Sequence, residues 1–191
     1  VLPFGSLHMP TDAEKDNTLS YEKGGVLMRF QTKNQKRVLT CRWGNVEVKI
    51  RLERQNPNSL VINLPFDEYA RAFYYNHKIN CMTAEGYVKS GDREWRFDRK
   101  NSFGILDWGR GVWPFHNEWY WSNGSGRLDG EMFGFNLGCG FGNTDTASEN
   151  MLFYKGEAHK LGKVDFRLGD KYMDPWHLTD REGRLDLTLT P

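Results

Sequence analysis

No run of apolar residues in this chain approaches the roughly 18 that a membrane span requires. A dominant charge of one sign is also missing. Lys+Arg 26 against Asp+Glu 25 leaves a formal charge of +1, so nothing draws the chain to nucleic acid or to an anionic surface. Cysteine is scarce: Cys41, Cys81 and Cys139 are odd in number, far apart and never in a CxxC pair. They are expected to be free thiols, buried or half-buried, in a reducing cytosol. The five His are scattered rather than held at ligand spacing, so no metal site and no cofactor are expected. A Gly-x-Ser-x-Gly elbow is absent and no Cys stands beside a local His, which removes support for acyl transfer. GRG at 109–111 lacks the GK[ST] ending of a phosphate loop. No basic-then-apolar leader precedes the first strand, which fits a cytoplasmic protein, although a chain that begins VLPFG without Met leaves room for an upstream segment.

Amphipathic helices are equally wanting. Phe66, Tyr69, Ala70, Phe73, Tyr74 and His77 follow helical spacing behind Pro65, yet AFYYNHKINCM is rich in aromatics and meets no helix stop before Gly86. The reading adopted is a single turn at 66–70 that runs into a long strand ending near Val88. What is present instead is period-two alternation. Val46, Val48, Ile50 and Leu52 alternate with Glu47, Lys49, Arg51 and Glu53, the same pattern recurs at 164–168 and 185–190, and SLVINL at 59–64 reads as another strand. Residues 1–24 read as a loop leading into a strand at 25–30. Strands with one wet face belong to antiparallel sheets. On the segment 130–142, Phe133, Phe135, Leu137, Cys139 and Phe141 share one face, while Gly134, Asn136, Gly138, Gly140 and Gly142 share the other. Glycine recurs where a strand bends sharply or where something approaches its backbone. The expectation is one all-β domain over 1–191, an antiparallel barrel with little helix, favoured over a sandwich.

Aromatic residues make up 14% of the chain, and four of its seven Trp crowd one stretch: Trp108, Trp113, Trp119 and Trp121. Asp107, Arg110, His116 and Glu118 stand among them. Ionisable groups among indoles are costly to desolvate unless they pair or meet a ligand, so 104–150 is the candidate site. Trp119 and Trp121 lie two apart and point the same way on a strand, which makes either a flat apolar shelf for a ligand or a plug for the barrel. Asp107 and Arg110 in DWGRG either close a turn as an ion pair or set the guanidinium at a pocket mouth. His116 and Glu118 could share a strand face. Glu149, sealed among aromatics, is the first candidate for a proton donor, and Asp107 is the second. The bland alternative has Glu149 and Asn150 bonding loop amides. Asn136 and Asn150 complete the candidate ligand contacts.

FGILDWGRGVWPFHNEWYWSNGSG, GFNLGCGFGNT, ENMLFYKGEAHKLG and PWHLTDREGRLDLTLTP together resemble the bacterial family known as domain of unknown function 2804, over about Phe66 to Pro191. That family is distantly similar to lipocalin-like proteins of the carotenoid hydratase and tocopherol cyclase type. The resemblance implies a calycin-type antiparallel barrel, with a second one on a longer chain, and an apolar isoprenoid- or lipid-like small molecule as partner. Members continue past LTLTP, so either a missing segment of the same chain or a homodimer is expected to complete the barrel. A non-catalytic structural module and a carbohydrate-binding sandwich are the competing classes; the latter requires Trp119 and Trp121 on an outer face.

Overall fold

The computed structural model describes residues 9–171 and 173–191. Among them there is no helix, and the strands join in antiparallel ladders, as the alternating patterns require. Among the described residues no helix is long and apolar enough to cross a membrane.

The chain divides into two compact units, one formed by residues up to Gln55 together with Met82–Gly104, the other by Asn56–Cys81 and Ile105–Pro191. The first is a meander of β1 (Asn17–Lys23), β2 (Val26–Lys33), β3 (Lys36–Trp43) and β4 (Val46–Arg54). Its hairpins are tight: Gly24 and Gly25, then Asn34 and Gln35, all carry positive φ, the conformation in which a two-residue turn follows the twist of its strands. The strand β6 (Phe73–Ser90) adds its second half to β4, from Met82 opposite Arg54 to Ser90 opposite Val46, and β7 (Arg93–Phe97) folds back on it. β1 occupies a segment that reads as loop in the sequence. It is a short edge strand in which only Leu19 and Tyr21 alternate with Thr18, Ser20 and Glu22, a weak signal beside the polar run that precedes it.

The second unit holds β5 (Leu60–Pro65) paired with the first half of β6, and, from Ile105 onward, β8 (Phe103–Val112), which also pairs with β6. A four-stranded sheet follows, in the order β12 (Glu157–Lys160), β11 (Met151–Tyr154), β10 (Glu131–Cys139), β9 (Tyr120–Leu128). A three-stranded sheet of β13 (Val164–Arg167), β14 (Trp176–Asp180) and β15 (Asp186–Leu189) completes it. One face of β10 presents Leu137 to Leu161, Val164, Leu178 and Leu185, with Phe135 and Leu152 at the margin. Burial of each such aliphatic side chain contributes roughly 1.5–3 kcal/mol. A second cluster gathers Ile62, Leu64, Phe66, Ala72 and Tyr74 against Phe141.

The turn at 66–70 leading into a long strand is present as read, with β6 extending to Ser90. Closure is not: no sheet among the described residues closes on itself into a barrel. The glycines of β10 do not serve a barrel corner. Gly134 lies where a Cβ would fall 2.7 Å from the Cys81 sulfur, and at Gly138 a Cβ would fall on the Glu149 carboxylate. They admit other groups close to the backbone, the second of the two uses that glycine has inside a strand.

The three cysteines are free, Cys81 buried and the others half-buried. Burial pushes the Cys81 thiol up to about 11 from 9.0, more than the Ser125 hydroxyl beside it brings down. Burial likewise raises the Tyr74 phenol above its usual 10.0, reinforced by the nearby carboxylates of Glu149 and Asp107. In both cases the native state keeps a proton that the unfolded chain has lost: the Cys81 contribution is complete below pH 9 and falls as pH rises toward 11, and that of Tyr74 begins to fall only above pH 10. At about pH 10 the Cys81→Ala protein should therefore lose about 1 kcal/mol less than wild type, each measured against its own value at about pH 7 by urea unfolding. Identical alkaline losses in the two proteins would show that the thiol is not the titrating group.

Candidate functional site

Along the first half of β6 the residues Tyr74, Asn76, Lys78 and Asn80 alternate with Tyr75, His77 and Ile79, so the first four share one face. All four are buried, and Lys78 is only 2% exposed. An ammonium taken out of water must be paired. Lys78 Nζ donates to Glu149 Oε2 at 2.6 Å, lies 3.3 Å from Asp107 Oδ2, and stands 4.7 Å above the Trp121 ring. The three charges sum to −1.

Each partner is delivered by a local feature of the chain. Glu149 stands two residues ahead of β11 and enters through the space left at Gly138. Asn136, fully buried on the same face of β10 as Gly138, donates to the Glu149 carbonyl at 2.7 Å and to Oε2 at 3.2 Å. Its own oxygen accepts from Trp121 Nε1 at 2.9 Å and from Asn123 Nδ2 at 3.0 Å. The register of β9 against β10 sets Asn123 opposite Asn136 and Trp121 opposite Gly138, which explains why these side chains meet. Asn80 extends the network by donating to Asn123 Oδ1 at 2.7 Å. Asp107 projects from β8, and its Oδ1 accepts from Asn76 at 2.5 Å, an approach that Gly109 permits because a Cβ there would lie 2.8 Å from the Asn76 amide nitrogen. The Asp107 side chain is 37% exposed while those of Lys78 and Glu149 are 2% and 3%, so Asp107 is the member of the triad that faces solvent.

The sequence candidates divide accordingly. Glu149, Asp107, Trp121 and Asn136 come together, joined by Lys78. Asn150 does not contribute a free group: it accepts from the Gly138 amide at 2.7 Å and donates to the Gly162 carbonyl at 2.8 Å, a structural role on strand β10 rather than on a loop amide. Trp108 and Arg110 lie on the opposite face of β8 from Asp107. Trp108 meets the edge of Tyr75 at 6.0 Å, and the Arg110 guanidinium sits 5.1 Å from Tyr75 and 5.6 Å from Trp108. DWGRG is therefore the interior of a strand rather than a turn closed by an ion pair, and an odd separation in a strand sends Asp107 and Arg110 apart.

His116 and Glu118 share no strand face, because 113–119 is the loop between β8 and β9. Trp113 and Trp119 from this loop meet the edge of Phe141 at 5.8 and 4.9 Å, and Phe141 in turn meets Tyr74 at 4.5 Å. Trp113, Pro114, Phe115, Asn117, Trp119 and Phe141 line an aromatic cleft of ≈ 340 Å³. A polar cavity of ≈ 330 Å³ adjoins it, sharing Pro114 and Asn117 and adding Asp67, Glu68, His116 and Glu118. Trp119 and Trp121 make no common shelf, since one packs on Phe141 and the other on Lys78 and Asn136. Nor are these rings walled in: Trp113, Trp119 and Trp121 are 50%, 49% and 37% exposed, as befits sheets that do not close.

Sequence reasoning passed over Lys78, Asn76, Asn80 and Tyr74. The signal was available in YYNHKIN, where a polar residue at every second place of a strand too apolar to be an edge marks a buried polar face. Among the described residues no group of three or more His, Cys, Asp or Glu is arranged to hold a metal ion.

No curated protein and no solved structure matches this chain. The likeness carried by its tryptophan-rich and glycine-rich segments is confirmed over the whole length: the model of the family described as Domain of unknown function (DUF2804) matches residues 1–191, and the chain belongs to that family.

Proposed function

We propose that the second unit binds a small, largely apolar molecule in the cleft of Trp113, Phe115, Trp119 and Phe141, with the molecule's polar or unsaturated end toward the Lys78 cluster. The observation that carries this reading is the ring contact of Phe141 with Tyr74, which joins a ≈ 340 Å³ aromatic cleft to a phenol lying in the field of Glu149 and Asp107. A cleft above about 300 Å³ is large enough for a drug-sized ligand, and apolar walls with a few converging polar groups are the usual make-up of such sites. The isoprenoid class, like the lipocalin-like barrel, comes from the distant likeness to carotenoid hydratase and tocopherol cyclase proteins and belongs to this proposal.

Within it the carboxylates have separate roles. Glu149 is engaged by Lys78 and Asn136 and sets the charge of the site. Asp107 has access to solvent and is the group that would exchange a proton with a ligand double bond. A cationic intermediate would rest against the indole face of Trp121. The half-exposed Trp113 and Trp119, with Asp67, Glu68 and Asn143 lining the adjoining cavity, favour one second reading, a carbohydrate held on an outer surface.

Titration with the neutral lipophilic fluorophore N-phenyl-1-naphthylamine separates the two. Binding that apolar competitors displace, and that Trp113→Ala/Trp119→Ala weakens at least about tenfold through loss of two ring contacts, supports the apolar ligand. Displacement by soluble oligosaccharides alone transfers the site to sugars, and a protein that binds neither class is a structural module. With a substrate in hand, Asp107→Asn should reduce turnover at least about 100-fold with binding retained, the scale of a lost general acid.

A further inference from the structure

We infer that the loop between β8 and β9 is a membrane-docking tip that inserts its rings into a lipid surface with ammonium-bearing headgroups. Phe115 is 97% exposed, Val112 61%, Trp113 50% and Trp119 49%, so four large apolar side chains within eight residues stand in water. Isolated exposed apolar residues need no explanation, but a contiguous group marks an interaction surface. At about 200 Å² for each aromatic side chain, Phe115 and the exposed halves of the two Trp present roughly 400 Å². That is half of the about 800 Å² that each partner in a stable protein pair buries. A second copy of the chain is thus poorly served by this surface, whereas a lipid interface needs only a few rings at the headgroup level, where Trp is the preferred residue.

The charge around the tip selects the kind of lipid. The cavity at its base is lined by three carboxylates, Asp67, Glu68 and Glu118, against one His116, together with the rings of Phe66 and Tyr69. Carboxylates beside aromatic faces attract an ammonium or trimethylammonium group. The same carboxylates repel anionic headgroups, and the formal charge of +1 on the whole chain supplies no compensating attraction. Docking is therefore apolar and headgroup-selective rather than driven by a basic patch. A tip of this kind would also bring the aromatic cleft, which Trp113, Phe115 and Trp119 line, to the phase in which an apolar molecule is dissolved.

Flotation with bare phosphatidylcholine vesicles is the test. Wild type should float with the vesicles, Phe115→Asp and Phe115→Ser should lower the bound fraction at least about fivefold, and Val112→Asp should lower it as well. Trp95→Asp, which alters a ring 48% exposed on β7, should float like wild type. Replacing a third of the lipid by phosphatidylglycerol should weaken binding at about 0.1 M salt and much less at about 1 M, where repulsion is screened. Three results would each overturn the inference: no flotation of wild type, flotation indifferent to both Phe115 variants, or a dimer in vesicle-free buffer that Phe115→Asp dissolves. Stronger binding to the anionic vesicles would reject the headgroup assignment. Because bare vesicles carry no ligand, a failed flotation leaves the ligand reading intact, and a failed fluorophore titration leaves this one intact.

Discussion

Lys78→Met is expected to lower the unfolding free energy by about 3–5 kcal/mol, the usual consequence of removing one member of a buried ion pair. The loss arises less from the missing attraction than from the carboxylate left behind. Glu149, 2% exposed, would retain the Asn136 amide as its hydrogen-bond partner, with the Lys160 ammonium acting on it only through space. Glu149→Gln should cost distinctly less. Lys78 then keeps Asp107 at 3.3 Å, the glutamine oxygen can still accept from both Lys78 and Asn136, and Asp107 has access to water. The double variant Lys78→Met/Glu149→Leu should recover most of the stability, because two apolar side chains of similar volume replace both charges at once. Urea unfolding of wild type, Lys78→Met, Glu149→Leu and the double variant closes the cycle, with Glu149→Gln as the isosteric control. A loss under about 1 kcal/mol for Lys78→Met would mean that the pair behaves as a solvent-exposed one and that the cluster is not the sealed site described above.

Leu137→Ala carries the second large effect, about 2–5 kcal/mol, because its side chain is fully buried at the centre of an aliphatic cluster and the surrounding strands can only partly collapse into the space. Its position also links core to site. Asn136 and Gly138 flank Leu137 on β10 and face the other way, so the packing of one face holds the network on the other in register. Leu152→Ala, at the half-buried margin of the same cluster, should cost markedly less. Thermal unfolding of both variants checks the order, and equal shifts for Leu137 and Leu152 would show that the cluster is loosely packed.

Much of the fold was legible because alternation survives wherever one face of a strand is wet. β4, β5, β13 and β15 fall within a residue or two of their sequence signals. β1 was hidden because only two apolar residues, Leu19 and Tyr21, mark its period next to a long polar run. The candidate site was legible in half. Glu149, Asp107, Trp121 and Asn136 stood out because acids and amides among indoles demand partners. Lys78, the cation that joins them, lies far from them in sequence, in a segment whose helical spacing competes with its strand pattern.

The sequence alone determined that this is an all-β, antiparallel protein with free cysteines and with its ionisable groups gathered near a tryptophan-rich stretch, since period-two patterning and residue type are local properties. Tertiary structure decided which of those groups meet. Register across β9 and β10, and the gaps left by Gly109 and Gly138, bring Asp107, Glu149 and Asn136 to one lysine and send Arg110 and Trp108 to the opposite face. Pairing of distant strands is a non-local choice settled by burial of the whole face, and no single segment contains it.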